Sequence, residues 1–320
     1  MRRLQALLLP FFCAILLHAE DTKKFTLNEG DRVAFVGNTF TERDQYSGYL
    51  ETLLTARYFD RNVIFRNFGW SGDNVWGEAR NEFGKNPDGF KALEKQIVEY
   101  KPTVIFVAYG MSESFEGESG VSAFVQQYNV MLDMLGKGGP RLVLVSPLKH
   151  ENLGAPLPDP AEHNKNLRLY SDKIKELAAK RGANFVDLFE LLGEGDAAAH
   201  FTDNGIHLTP YGYWRAALAT EKGLGLSATG IDIDPLKKTA SPVREKGEAL
   251  RAAILKKNEF FFNRYRPQNG PYIFGFRKHE QGKNAVMIPQ FDPLVSAQEA
   301  EIAKLRVTAA ESAGMKAEGK

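Results

Sequence analysis

Val33-Ala34-Phe35-Val36-Gly37-Asn38-Thr39-Phe40 is the stretch from which the rest of the chain is read. Four apolar residues, two of them valines, have the composition of a buried strand. Gly37 then lets the backbone turn sharply, and two small polar residues follow. In an open α/β sheet a ligand crevice forms outside the carboxyl ends of the strands. A hydroxyl placed there, before a helix, is a candidate nucleophile. An ordinary strand-to-helix turn, with Thr39 or Thr41 capping the helix, would use the same residues. The pattern downstream separates the two.

Apolar, β-rich runs at 32–36, 62–67, 103–108, 141–146 and 184–187 alternate with helical periodicity at 47–58, 90–100, 122–135 and 161–181. A further helical segment at 211–221 follows the fifth strand after a loop. Strands that are almost wholly apolar and separated by helices predict a parallel sheet covered on both faces. The chain therefore reads as α/β, a three-layer α/β/α flavodoxin-like sheet over 25–226. Residues 227–320 read as a C-terminal extension, with Ile231-Asp232-Ile233-Asp234-Pro235 as linker and a helix at 243–262. Its rings, Phe260, Phe261, Phe262, Tyr265, Tyr272, Phe274 and Phe276, read as docking the extension onto the sheet, with a sugar-stacking or partner surface as the alternative. The Ala/Glu/Lys-rich tail at 293–320 reads as a frayed or exposed helix.

Composition narrows the function classes. Among 320 residues, 43% are apolar and 25% charged, an ordinary soluble composition. The formal charge is +1 with no basic stripe, which argues against nucleic acid as partner. Met1-Arg2-Arg3-Leu4, an apolar run from Leu7 to Leu17 and Ala19-Glu20-Asp21 have the form of a secretory signal peptide over 1–19. A periplasmic or extracellular location is expected. The apolar run is too short, and too broken by Pro10, for a membrane span, so none is expected once the signal is removed. Removal takes two arginines and brings the net charge to −1. Cys13, the single cysteine, lies within that leader, and its flank does not resemble a lipoprotein attachment box. An exported chain without disulfides then relies on the size of its core.

Compact turns follow the first three strands: Gly37-Asn38-Thr39, Gly69-Trp70-Ser71-Gly72-Asp73 and Tyr109-Gly110-Met111-Ser112-Glu113. Far downstream, Thr202-Asp203-Asn204-Gly205-Ile206-His207-Leu208 precedes a helix. A parallel sheet brings the three strand ends to one edge, where a loop holding His207 can reach them. In order and spacing over 33–214, these blocks resemble those of the SGNH hydrolases, the GDSL family of esterases and lipases. The family's Gly-Asp-Ser block lines up with Gly37-Asn38-Thr39, and its second-block glycine with Gly72. Its Gly-x-Asn-Asp/Glu block lines up with Gly110-Met111-Ser112-Glu113, and its Asp-x-x-His block with Asn204-Gly205-Ile206-His207.

The resemblance implies ester hydrolysis, in which a serine attacks the carbonyl, a histidine is its base and an aspartate orients the histidine. Carried over, Thr39 is the nucleophile and His207 the base. Asn204 is the orienting residue, with Asp203 able to substitute if the loop is rotated by one residue. The amides of Thr39 and Gly72 with the Ser112 side chain form the oxyanion hole. Asn38 completes the substrate-binding set with Glu113, the latter an acceptor behind the site or a surface carboxylate. Asp73, Asn74 and Glu42-Arg43-Asp44 line the crevice or cap helices.

This chain departs from the family pattern at named side chains. Threonine keeps the hydroxyl but adds a methyl that stiffens χ1 and crowds the carbonyl. Ser112 stands where an asparagine is expected and has a shorter reach than an amide. Outright loss of an oxyanion donor costs about 10²–10³ in kcat. Asn204 in place of aspartate selects the wrong histidine tautomer, a loss on the order of 10⁴ in serine proteases.

Two functions follow. The first is an exported hydrolase of carboxylic esters, removing a small acyl group such as acetyl from a carbohydrate. The second is a binding protein for a glycan or protein partner, with the crevice kept and the chemistry lost. His150, His163, His200 and His279 show no metal-ligand spacing, and no phosphate-binding glycine loop is present. Neither a metal nor another cofactor is expected, and the oligomeric state is not legible.

Overall fold

Strand β1 (Arg32–Gly37) lies between β2 (Ile64–Asn67) and β3 (Val104–Ala108) in a five-stranded sheet, completed by β4 (Arg141–Val145) and β5 (Asn184–Val186). The order is β2-β1-β3-β4-β5 and every pairing is parallel, with Val33 opposite both Phe65 and Val104. The computed structural model describes residues 25–317 apart from Phe83, Glu194 and 196–198. The leader expected at 1–19 lies outside the described residues.

Alternation along β1 builds the layers. Val33 and Phe35 face a core shared with α2 (Tyr49–Arg57) and α6 (Pro210–Gly223). Ala34 and Val36 face the opposite core, under α3 (Asp88–Tyr100), α4 (Gly117–Leu135) and α5 (Ala161–Arg181). A strand buried on both sides has no polar face to show, which is why these segments read as continuous apolar runs. This is the expected flavodoxin-like order, and the topological switch lies between β1 and β3. The short helix α1 (Thr39–Asp44) springs from that point.

The extension is built into the fold. Helix α7 (Pro242–Tyr265) packs against α8 (Phe291–Ser312), and Leu250, Ala253, Ile254, Ile302 and Ala309 join the α2 and α6 side of the core. Lys257 on α7 is wholly buried, with Nζ 2.7 Å from Glu51 Oε1, and it donates to the Phe65 carbonyl at 3.0 Å. An edge strand normally presents unpaired carbonyls to solvent. Here a lysine from the extension takes one of them.

Two expectations are corrected. Over its described residues the tail at 293–320 is a helix to Ser312 with one face buried, and not an exposed one. Val295, Ile302 and Ala309 recur at seven-residue spacing and are buried, the alanines allowing close approach to α7. The segment read as a linker is a strap whose Ile231 and Ile233 are buried. The rings divide between the two readings: Phe261 and Tyr265 pack on Phe68 at 5.3 and 5.5 Å, whereas Phe274 and Phe276 are 55% and 71% exposed. Among the described residues no helix is long and apolar enough to cross a membrane.

Candidate active site

Thr39 is the first residue of α1, directly after β1. Asn38, not a threonine, is the cap: its Oδ1 accepts the Phe40 N–H at 3.1 Å. Gly37 is required by packing, since a Cβ there would lie 2.2 Å from Thr41 Oγ1 and 2.6 Å from the Ala108 carbonyl. The Thr39 hydroxyl oxygen accepts a hydrogen bond from the Gly72 N–H at 2.9 Å.

That amide is held by a loop fastened almost bond by bond to α1. The Asn67 side chain donates to the Thr41 carbonyl at 2.6 Å and accepts from the Gly69 N–H at 2.8 Å. The Trp70 N–H donates to Gly37 O at 3.0 Å, and the Ser71 N–H donates to Glu42 Oε2. Gly69 lies on the α1 backbone so closely that a Cβ would meet Glu42 N at 2.3 Å. Below the loop, buried Asp73 pairs with Arg80 at 2.5 Å and accepts from Tyr109 Oη at 2.9 Å. Arg80 also donates to Phe68 O at 2.8 Å. Asp73 therefore anchors the loop from beneath.

The turn after β3 supplies Ser112 and Glu113. Ser112 is exposed and lines the cleft. Glu113 is buried behind it, accepting N–H donors from Val75 at 2.8 Å and Gly110 at 2.9 Å. Burial pushes its carboxyl up to about 7, against the lowering effect of those donors. It is thus the acceptor behind the site, tying the second and third blocks together.

The histidine loop is a closed hairpin. Thr202 and Leu208 form an antiparallel bridge, and the Asp203 N–H donates to His207 O at 2.9 Å. Asn204 sits against the ring, its Nδ2 2.9 Å from His207 Nδ1. Its Oδ1 accepts the N–H groups of Ile206 at 3.2 Å and His207 at 2.9 Å, which fixes which end of the amide faces the imidazole. An amide nitrogen only donates, so Nδ1 is an acceptor and the ring proton resides on Nε2. Asp203 does not take the orienting position; its backbone is committed to the hairpin rung, and its carboxylate acts on His207 through space. The imidazole is held below its usual pKa by burial and then by Arg43, with Asp203 opposing.

Thr39 and His207 line one cleft with Asn38, Phe40, Ser112 and Ile206, enclosing about 90 Å³. Among the described residues no hydrogen bond joins the Thr39 hydroxyl to His207. No group of three or more His, Cys, Asp or Glu side chains among the described residues is placed to hold a metal.

Sequence reasoning missed the supports of the histidine loop. Buried Glu151 accepts from Phe201 N at 3.2 Å, Thr202 N at 2.7 Å and Thr202 Oγ1 at 2.5 Å. Beside it, His150 Nδ1 lies 3.0 Å from His163 Nδ1, and His163 Nε2 lies 2.8 Å from Ser114 Oγ. Burial, then His150, brings the His163 pKa down to about 4. A Cβ on Gly205 would meet His150 Nε2 at 2.6 Å, so glycine lets this pair sit under the loop. No motif marks these residues in the sequence.

The family model for GDSL-like lipases and acylhydrolases matches residues 30–215. The chain belongs to the GDSL-like lipase/acylhydrolase family. Its fold is shared with a catalytic mutant of an acetylxylan esterase from Geobacillus stearothermophilus, at TM-score 0.50 and 17% identity, covering 63% of this chain and 98% of that one. It is also shared with a gut microbial diltiazem-metabolizing enzyme, at TM-score 0.60 and 14% identity, covering 91% and 97%. The greater coverage of the second takes the likeness beyond the 30–215 segment into the extension. No curated protein matches the sequence. The SGNH-type frame expected from the order of the sequence blocks therefore stands in this GDSL-like protein.

Proposed function

We propose that this protein is an exported carboxylic-ester hydrolase that removes small acyl groups, acetyl first among them, from carbohydrate. The observation that carries the reading is the Gly72 N–H directed at the Thr39 hydroxyl at 2.9 Å, in a cleft that also holds His207. A donor beside the attacking oxygen is what a developing oxyanion needs. Thr39 Oγ1 would attack the ester carbonyl. The negative charge would pass to the Gly72 and Thr39 N–H groups, with the Ser112 hydroxyl as a third donor. With the imidazole in its other tautomer, the proton on Nδ1, the proton from Thr39 would pass to Nε2 of His207 and then to the leaving alcohol, and water would release the acyl group in a second round. The small enclosed volume favours a short acyl group. The carbohydrate part is supported by the acetylxylan esterase that shares the fold, and export by the leader pattern.

The Asn204 amide favours a second reading. With the proton fixed on Nε2, His207 is a poor base, and a cleft that binds an acylated glycan without turning it over becomes the alternative. Acetate release from acetylated xylo-oligosaccharide and p-nitrophenyl acetate separates the two. Turnover by the wild type that disappears in Thr39→Ala and His207→Ala upholds the hydrolase. Equal rates in all three, or saturable binding with no turnover by folded protein, overturns it.

A further inference from the structure

We infer that Tyr265 and Arg266, where the extension leaves α7, are positioning residues for the loop that carries the Gly72 amide. The inference rests on the hydrolase reading for its catalytic consequence, though its geometry stands alone. Tyr265 Oη donates to the Gly69 carbonyl at 2.6 Å, three residues before Gly72. Its ring packs edge-on against Phe68 at 5.5 Å and stacks on Phe261 at 5.3 Å, which fixes where the hydroxyl can reach. The Arg266 guanidinium lies 3.7 Å from the centroid of the Trp70 ring, and its Nη1 is 2.5 Å from Glu42 Oε2.

Glu42 is the junction. Its Oε2 accepts both Arg266 and the Ser71 N–H, and it belongs to α1, whose first residue is Thr39. One carboxylate oxygen therefore joins the helix of the hydroxyl, the loop of the donor and the extension. The loop needs such support because Gly69 and Gly72 carry no side chains to pack, and Gly72 sits at φ +74°, where glycine is freest. The 67–73 segment lies after the edge strand β2, and the family domain holds it on its α1 side, at the end of β1 and, through Asp73 and Arg80, from beneath. Tyr265 and Arg266 add a hold from the extension.

An oxyanion donor must stand about 2.7–3.1 Å from where the charge will develop. A displacement near 1 Å costs on the order of 10²-fold in rate. Loss of the brace thus lowers kcat while leaving ground-state binding, and so KM, close to wild type.

The test uses the full chain as wild type, Tyr265→Phe, Arg266→Ala, Arg266→Lys and the control Arg264→Ala, whose partner is exposed Asp292. Backbone ¹⁵N order parameters and ester kinetics are measured on each, with thermal melts to verify folding. Expected for Tyr265→Phe and Arg266→Ala are order parameters at Ser71 and Gly72 that fall from about 0.85 toward 0.6. Their kcat falls about 10- to 100-fold at unchanged KM. Arg266→Lys, which keeps the Glu42 pair, recovers part of both, and Arg264→Ala changes neither. Unchanged order parameters in both brace variants, or a kcat loss matched in the control, overturns the inference. If the wild type turns over no ester, the hydrolase reading fails alone: a rigid 71–72 segment that loosens in both variants still upholds the brace.

Discussion

The side-chain nitrogen of Asn204 lies 2.9 Å from Nδ1 of His207, where the resemblance to the SGNH blocks leads one to expect a carboxylate oxygen. The amide reverses the polarity of the contact and puts the imidazole proton on the nitrogen that would have to receive one. In Asn204→Asp the carboxylate accepts a hydrogen bond from Nδ1–H of His207, which leaves Nε2 free as a base. We expect kcat/KM for p-nitrophenyl acetate to rise by about 10²–10⁴ in this variant. An unchanged or lower value would mean that His207 is not the base.

The acid limb of the rate profile follows the histidine. Burial, then Arg43, lowers the His207 pKa, so the neutral ring persists below the ordinary value of 6.5. Arg43→Gln removes a positive charge that disfavours the imidazolium, so the folded pKa rises and activity is lost at higher pH on acidification. A kcat/KM profile from pH 4 to 8 reads the shift, and a limb displaced toward lower pH would contradict the assignment.

Thr39→Ser keeps the oxygen and removes the methyl beside it. Attack on the carbonyl becomes less crowded, and a several-fold gain in kcat is expected, against loss of measurable turnover in Thr39→Ala. A serine variant slower than wild type would show that the threonine rotamer is itself part of the site.

Stability depends on the buried pair that joins the extension to α2. Lys257→Ala leaves Glu51 charged and buried and removes the donor to Phe65 O. A cost of about 3–5 kcal/mol is expected from denaturant midpoints. The double change Lys257→Met with Glu51→Leu should lose much less. Equal losses in the single and double variants would place the effect in packing.

What was legible in the chain was what has a period or a fixed spacing. The apolar runs gave the sheet because strands buried on both faces, such as β1, cannot carry polar residues. Thr39, Gly72 and His207 could be singled out as candidates because each sits at a fixed distance from a strand end or helix start; that Gly72 reaches Thr39, and that Thr39 and His207 share a cleft, is seen only in the structure. The Asn204 contact was readable as a residue type, but its amide orientation depends on two backbone N–H groups that no sequence displays. Glu151 and Arg266 were missed, and Tyr265 was read only as a docking ring, because their partners lie far away in the chain: main-chain groups for Glu151 and Tyr265, the Glu42 carboxylate and Trp70 ring for Arg266. Helix α8 was misread because alanines look indifferent to burial until a partner helix is placed beside them.

The lysine that reaches the Phe65 carbonyl bears on how the chain can be divided. A protein cut after Leu226 would expose the outer rim of β2 together with the Phe68 ring that Phe261 and Tyr265 now cover. Such a fragment, though it would keep Thr39, Gly72 and His207, would offer an adhesive border to its own copies. The expected product of that truncation is insoluble self-paired material, and expression trials of a minimal catalytic unit should keep the chain through α8.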